Sequence, residues 1–190
     1  MLIRLCGLCG IVGSVLSLIM IYVATALSPW FRWDTNALSE LGVGEMAMLF
    51  NGAVIIGGVL NFFFALGVRE YLAVKRSIKI GAVLIMLGSA FLVLVGIFTI
   101  SYPVSYAIVS LGYFIVSPVG VILIGLGTRE SATGMSSVAI GVVALVAILV
   151  LPIALLALSL RVGFGVPEII EALIMAVWIV FMGLKLFQHK

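Results

Sequence analysis

Carboxylates are the side chains of this sequence best suited to chemistry, and besides Asp34 four glutamates fall in two short stretches. Glu40 and Glu45 lie within residues 34–45, and Glu168 and Glu171 lie near the start of the last apolar run. Paired carboxyl groups support acid–base catalysis when the pKa of one of them is raised. Acids are also common at helix starts for structural reasons, because the helix dipole favours an anion there. Both interpretations stay open at the level of sequence.

Other polar and aromatic residues accompany the first pair of acids. Trp30 and Trp33 are typical of the aromatic belt that anchors a helix at a membrane interface. Asn36, or Thr35, is a good N-cap for a short helix, and Ser39 lies on the polar face of that helix. Asn51 follows in the next apolar run, where it either lines the floor of a pocket or forms a hydrogen bond between helices.

Several kinds of chemistry are disfavoured by what the sequence contains. The single histidine, His189, stands at the end of the chain, which disfavours histidine metal sites and Ser-His catalysis. Cys6 and Cys9 form a lone C-x-x-C within an apolar run and are expected to be buried as small apolar groups. Proton pumps and ion-coupled transporters usually have a charged residue in the middle of a membrane span, and no apolar run of this sequence has one there. We therefore predict no catalytic residue, no metal site, no cofactor and no nucleic-acid partner.

The elements that carry these residues follow from composition. The chain has 190 residues, of which 65% are hydrophobic and 9% charged, with a mean hydropathy of +1.44. A soluble domain carries about 25% charged residues, and a membrane-spanning helix needs about 20 apolar ones. We therefore predict an all-α polytopic membrane protein, a single bundle over 1–190. Its six spans are 5–27, 46–68, 80–101, 106–127, 135–159 and 168–186.

The distribution of Lys and Arg predicts how the bundle is oriented. Eight of the ten basic residues fall at the two chain ends or in the loops after the second and fourth spans. Cytoplasmic loops carry such an excess, so both termini are predicted to be cytoplasmic in a multi-pass protein of the cell membrane. The two exceptions, Arg32 and Arg161, are natural counter-charges for the outer acids.

Repeated endings suggest how the six spans are related. Gly67-Val68-Arg69-Glu70 recurs sixty positions later as Gly127-Thr128-Arg129-Glu130. This favours three tandem helical hairpins, although a glycine followed by a basic residue is also a common way to end a helix at this interface. The first hairpin alone has a long connection, residues 28–45, which we call the insertion. It is predicted to be extracytoplasmic and to hold a short interfacial helix that Gly42 and Gly44 end by accepting positive φ.

The segment Asn36-Ala37-Leu38-Ser39-Glu40-Leu41-Gly42 carries a resemblance to known families. Together with the flanking spans and Asn51, it resembles a prokaryotic six-span family known as domain of unknown function 998. More distantly, residues 38–42 are similar to the Ile-Ser-Asp-x-Gly motif of the DRAM, Sfk and GPI-anchor-remodelling membrane proteins, with Glu40 where that group tends to have Asp. That wider group is associated with membrane lipids and trafficking, so the resemblance implies a role connected with lipids and directs attention to Ser39, Glu40 and Gly42.

The sequence thus favours a protein that binds or handles a lipid or small amphiphile at the outer leaflet. A carboxylate-based lipid-modifying enzyme, a small-solute transporter or channel, and a structural subunit are the alternatives. A membrane lipid is the expected partner, and a homo-oligomer or another membrane partner stays open. The residues predicted to bind the ligand are Trp30, Trp33, Asn36, Ser39, Glu40, Glu45, Asn51, Glu168 and Glu171.

Overall fold

The structure is a computed structural model that describes residues 1–72, 75–157 and 163–189. Within these ranges the regular structure is helical, and six helices are long and apolar enough to cross a membrane. The prediction of an all-α protein with six spans is confirmed, and the chain has the architecture of a multi-pass membrane protein. The helices are α1 (Leu2–Ala26), a 3₁₀ helix (Leu38–Gly42) that we call the cap helix, α2 (Ala47–Leu72), α3 (Arg76–Ile97), α4 (Pro103–Gly127), α5 (Ala132–Leu149), α6 (Leu151–Ala157) and α7 (Gly165–Gln188).

The six long helices form a closed ring. Each packs against its neighbours in the order α1, α2, α3, α4, α5 and α7, and α7 closes the ring on α1. The two chain ends meet on one side of the bundle, where Arg4 Nε donates to the backbone oxygen of His189 at 2.7 Å. We call this side the terminal end. The opposite side carries residues 28–45 and is the insertion end.

Glycines allow the helices of the ring to approach one another closely. A Cβ atom on Gly81 would lie 2.6 Å from the backbone oxygen of Gly120, and one on Gly120 would lie 2.7 Å from that of Gly81. Gly7 of α1 and Gly183 of α7 face each other in the same way. Small residues at such crossings are typical of membrane helices, whose association depends on close packing rather than on exclusion of water.

A methyl group at one of these crossings is expected to destabilise the bundle. Gly120→Ala places its Cβ against backbone, which cannot rotate away, so we expect a loss of about 1–3 kcal/mol of unfolding free energy. Gly52→Ala is the matched control, because its Cβ would meet only the end of the Met20 side chain at 3.7 Å. Thermal denaturation in mild detergent should separate the two variants. Equal midpoints would contradict the packing argument.

The fifth apolar run is interrupted, contrary to the single span predicted over 135–159. α5 ends at Leu149, and the seven-residue α6 begins at Leu151. Pro152 explains the break, because it has no N–H to donate to the carbonyl of Ile148 and its ring clashes with the preceding turn. The end of that predicted span, from residue 158 onward, lies outside the described residues.

Two apolar clusters fill the bundle at different depths. Phe64, Ile85 and Trp178 belong to the cluster nearer the terminal end, where Phe64 and Trp178 meet edge to face at 5.9 Å. Leu41 and Phe50 belong to the cluster nearer the insertion end. A cavity lies between the two clusters.

Candidate functional site

The insertion is folded largely by its own polar side chains. Glu40 Oε1 accepts a hydrogen bond from the backbone N–H of Ala37 at 2.8 Å, and Glu40 Oε2 accepts one from Asn36 Nδ2 at 2.6 Å. Asn36 Oδ1 in turn accepts from the backbone N–H of Arg32 at 2.9 Å. Asn36 or Thr35 was expected to be the N-cap of the short helix, but Ala37 occupies that position. Asn36 and Glu40 therefore use much of their hydrogen-bonding capacity within the insertion.

Three hydrogen bonds attach the insertion to the start of α7. Gly163 N donates to the Trp33 oxygen at 3.0 Å, and Gly165 N donates to the Asn36 oxygen at 2.9 Å. The third bond runs from the backbone N–H of Leu38 to Glu168 Oε2 at 2.7 Å. Ala37 offers no side-chain acceptor to the first turn of the cap helix, and Glu168 satisfies from another helix one of the N–H groups that a helix start leaves free, that of Leu38.

A further hydrogen bond attaches the cap helix to α2. Asn51 Nδ2 donates to the backbone oxygen of Gly42 at 3.0 Å, and a Cβ on Gly42 would lie 2.7 Å from Asn51 Oδ1. The positive φ expected at Gly42 and Gly44 is not found, and that prediction is wrong. Gly42 instead provides room for Asn51, and the cap helix is buried, with Leu41 fully excluded from solvent.

A cavity of about 100 Å³ lies beneath the cap helix, between α1, α2, α3, α4 and α7. Its polar groups at the insertion end are Ser39, Tyr106 and Glu168. The Tyr106 phenol lies beside the Ser39 hydroxyl and near the Glu168 carboxylate. On α7 the lining runs from Glu168 to Ile179, which is about 16 Å along the helix at 1.5 Å per residue. The cavity therefore extends from the cap helix well into the apolar part of the bundle.

Two polar side chains, one from α1 and one from α2, lie deep in the wall of this cavity. Ser14 of α1 is 5% exposed and Asn61 of α2 is 8% exposed, and both line the cavity. Ser14 Oγ and Asn61 Oδ1 have no hydrogen-bond partner among the described residues. A buried polar atom without a hydrogen-bond partner lowers the stability of the fold, so we expect these atoms to bond to a water molecule or a ligand group.

Other residues of the predicted set lie away from the cavity. Glu45, the last residue of the insertion, is exposed, and Asn51 is not among the described residues that line the cavity. Trp30 and Trp33 pack edge to face on Phe31 with ring centroids 6.1 and 5.0 Å apart, and both remain largely exposed. The structure therefore brings Ser39 and Glu168 together and separates them from Glu45 and Trp30.

Arg32, one of the two predicted counter-charges, pairs with Asp34 and not with one of the four glutamates. Arg32 Nη2 pairs with Asp34 Oδ2 at 2.7 Å on the exposed surface of the insertion. The hydrogen bond from Arg32 holds the pKa of Asp34 below its usual value. Arg161, the second predicted counter-charge, lies outside the described residues. Arg32 thus stabilises the insertion locally, in the same way as Asn36 and Glu40.

Glu171 is fully buried one turn beyond Glu168. Both of its carboxyl oxygens lack a hydrogen-bond partner among the described residues. The side chain lies near Tyr113, which does line the cavity, but Glu171 itself is absent from the described lining. The four acids therefore do not converge on one cup, and Glu168 is the carboxylate that reaches the cavity in the described part of the chain.

Comparison with known proteins places this chain in a family. The model of the family described as "Protein of unknown function (DUF998)" matches residues 11–185. The chain belongs to the DUF998 family. No curated protein and no solved structure matches this DUF998 protein. The resemblance to this six-span family is confirmed, and a function has to be argued from the cavity itself.

Sequence reasoning missed Tyr106 as a site residue of this DUF998 protein. A tyrosine near the start of a spanning helix is typical of the interfacial belt, and no local signal marks it as facing inward. Asn61 and Ser14 were visible as polar residues within spans, but their convergence on one cavity depends on how α1 and α2 are rotated. Only the packed bundle shows that these three residues line the same cavity.

Proposed function

We propose that this protein binds a lipid or small amphiphile whose head group lies in the cavity beneath the cap helix. The observation that carries the proposal is the placement of Ser39, Tyr106 and Glu168 at one end of a cavity that is otherwise lined mainly by apolar side chains. A concave, mainly apolar site with a few convergent polar groups is the usual form of a small-molecule binding site. The boundary between polar and apolar lining matches the two parts of an amphiphile.

The polar groups favour a head group that donates hydrogen bonds. Glu168 has one oxygen bonded to the Leu38 N–H, and its carboxylate can accept further bonds, since each oxygen has two lone pairs. The Ser39 and Tyr106 hydroxyls accept as well as donate. An amine or a polyol suits this set of acceptors best.

Charge supports a position at the outer leaflet of the cell membrane. The basic loops predicted to be cytoplasmic adjoin the terminal end, where Lys75 and Glu130 form an exposed ion pair at 3.3 Å. By the positive-inside rule the insertion end is then extracytoplasmic and both termini are cytoplasmic. The distant similarity to the DRAM, Sfk and GPI-anchor-remodelling proteins, which the sequence suggests, agrees with a lipid ligand.

The alternatives have less support from the geometry. A carboxylate-based lipid-modifying enzyme needs a second carboxyl group in the cavity, whereas Glu168 is the one carboxylate among the described lining residues. A structural subunit would need small-residue faces free for another chain, whereas Gly81 and Gly120 meet each other within this chain. We therefore propose binding rather than catalysis.

Loss of the two hydroxyls at the polar end is expected to weaken ligand binding. Combining Ser39→Ala with Tyr106→Phe removes two hydrogen-bonding groups while keeping most of the apolar volume. At about 0.5–1.5 kcal/mol for each bond, affinity should fall roughly tenfold or more. Native mass spectrometry of the protein purified from membranes measures the small molecules that it retains. Glu45→Gln is the control, because Glu45 is exposed and outside the cavity.

An unchanged set of retained molecules in the double variant would contradict the proposal, provided that the wild-type protein carries them. A loss that occurs equally in Glu45→Gln would show that the molecules bind elsewhere. Thermal denaturation of each variant checks that the bundle itself is intact.

A further inference from the structure

The cavity has a second polar region, formed by Ser14 and Asn61, which we call the deep pair. Both side chains line the cavity, and they are 5% and 8% exposed. Asn61 Oδ1 lies against α1, since a Cβ on Gly13 would stand 3.4 Å from it, and Gly13 immediately precedes Ser14. The two helices therefore bring the deep pair to one part of the cavity wall.

The deep pair lies near the middle of the spanning helices, away from the polar end of the cavity. Gly7 of α1 packs against Gly183 of α7, and the two helices run in opposite directions. Seven residues further along α1, Ser14 therefore lies level with about Ala176 of α7. Ala176 is eight residues beyond Glu168, which is about 12 Å at 1.5 Å per residue.

Ser14 differs from three other serines of the spanning helices in having no partner. Ser89 Oγ and Ser137 Oγ each donate to a carbonyl oxygen of their own helix at 2.8 Å, and Ser17 Oγ donates to a backbone oxygen of α2 at 2.7 Å. Ser14 Oγ makes no such bond, and Asn61 Oδ1 makes none either within the part of the chain that the structure describes. In hydrocarbon no solvent replaces a missing partner, so the deep pair needs an occupant of the cavity.

The chemistry of the deep pair selects a neutral hydroxyl group. Asn61 Oδ1 accepts hydrogen bonds, and the Ser14 hydroxyl both donates and accepts them. A carbonyl group cannot donate to Asn61. An ammonium group cannot accept from Ser14, and it would need a counter-charge in the apolar middle of the membrane. A hydroxyl group donates to one member of the pair and accepts from the other.

A water molecule offers the same chemistry, but this wall suits it less well than it suits a ligand. A buried water molecule typically makes about three hydrogen bonds. The deep pair provides two partners, because the Ser17 hydroxyl is already bonded to backbone and Tyr113 lies near Glu171. A hydroxyl group that is held covalently by the rest of a ligand needs no third partner.

We propose that the deep pair binds a hydroxyl group on the apolar part of the amphiphile whose head group lies at the polar end. The ligand class is then an amphiphile with a head group that bonds to Ser39, Tyr106 and Glu168 and a hydroxyl group about 12 Å from it. The apolar lining between these two positions contacts the intervening hydrocarbon. This inference rests on the proposed function and adds a contact that selects hydroxylated ligands.

The test compares probes that differ in this hydroxyl group. Octylamine and decylamine carry an amine head and a chain, and the matched aminooctanol and aminodecanol add a hydroxyl at the far end of the chain. Two chain lengths are used because the separation of about 12 Å is measured along α7. Native mass spectrometry of the full chain in lipid nanodiscs measures the preference, which is the affinity for an aminoalcohol divided by that for the alkylamine of the same length. Comparing the preference between variants cancels the different partition of the probes into lipid.

Ser14→Ala and Asn61→Leu each remove one member of the deep pair and keep most of the packing volume. We expect Ser14→Ala to lower the preference severalfold and Asn61→Leu to lower it about tenfold. Ser17→Ala is the matched control, because it makes the same substitution on the same helix and also lines the cavity, but its hydroxyl is bonded to α2. Ser17→Ala should keep the wild-type preference.

A preference that is the same in the wild type and in both deep-pair variants would overturn the inference, since water would then occupy the site. An equal loss of preference in Ser17→Ala would overturn it as well, because the change would then reflect the packing of α1. If Asn61→Leu does not fold, Ser14→Ala decides alone, since it removes a single heavy atom. Failure of the wild-type protein to bind any of the four probes would instead overturn the proposed function.

Discussion

Replacing Glu168 by alanine is expected to weaken both the attachment of the cap helix and the binding of the head group. Glu168 Oε2 accepts the hydrogen bond of the Leu38 N–H at 2.7 Å, and Leu38 is 5% exposed. Without the carboxylate this buried N–H loses its acceptor, which costs about 1–3 kcal/mol of unfolding free energy. The same substitution removes an acceptor from the cavity, so the affinity for an amine head group should fall at least tenfold. Thermal denaturation and native mass spectrometry measure the two effects.

Glutamine at position 168 separates these two effects. Glu168→Gln retains a carbonyl oxygen for the Leu38 N–H, so its unfolding free energy should stay within about 1 kcal/mol of the wild type. It loses the charge that strengthens a hydrogen bond to an amine, so amine binding should still fall about tenfold. Amine affinity equal to the wild type in both variants would show that Glu168 has only a structural role.

Alanine at position 163 is expected to displace the whole insertion. A Cβ on Gly163 would lie 2.5 Å from the backbone oxygen of Asn36 and 2.6 Å from its nitrogen, and neither atom can move by a side-chain rotation. The insertion must then shift, which disrupts the bonds Gly163–Trp33, Gly165–Asn36 and Leu38–Glu168. At about 0.5–1.5 kcal/mol for each bond, the expected loss is about 2–4 kcal/mol. The cavity also loses its cover at the insertion end, so ligand binding should fall with it.

Hydrogen exchange of the backbone amides in the insertion measures this displacement directly. The amides of residues 36–43 should exchange much faster in Gly163→Ala, while those of α2 and α3 should keep their protection. Gly44→Ala is the matched control in the same insertion, because nothing lies within 4 Å of its added Cβ. Wild-type exchange rates in Gly163→Ala would show that the insertion accommodates the methyl group and is not displaced by it.

The candidate site was predictable in part, and the residues show why. Ser39 and Glu168 could be selected because each is polar beside an apolar run, and that signal is local. Asn36 and Glu40 give the same local signal, yet they bond to each other and to the backbone of the insertion. Tyr106 gives no distinguishing signal, although it forms part of the polar end of the cavity. Residue type shows that a side chain needs a polar partner but does not show which partner it finds.

The sequence by itself determined that six helices cross a membrane, because hydrophobic length acts within one segment of about 20 residues. It also located the insertion and its short helix, because a polar stretch between two apolar runs is a local signal, although the predicted N-cap and the predicted glycine conformation are not found. The tertiary structure alone decided that Glu168 faces the cavity while Glu171 is buried beside it, and that Ser14 and Asn61 line the same cavity. These outcomes depend on how each helix is rotated and how closely it approaches its neighbours. Contacts such as Gly7 with Gly183 set that rotation, and they join residues far apart in the chain.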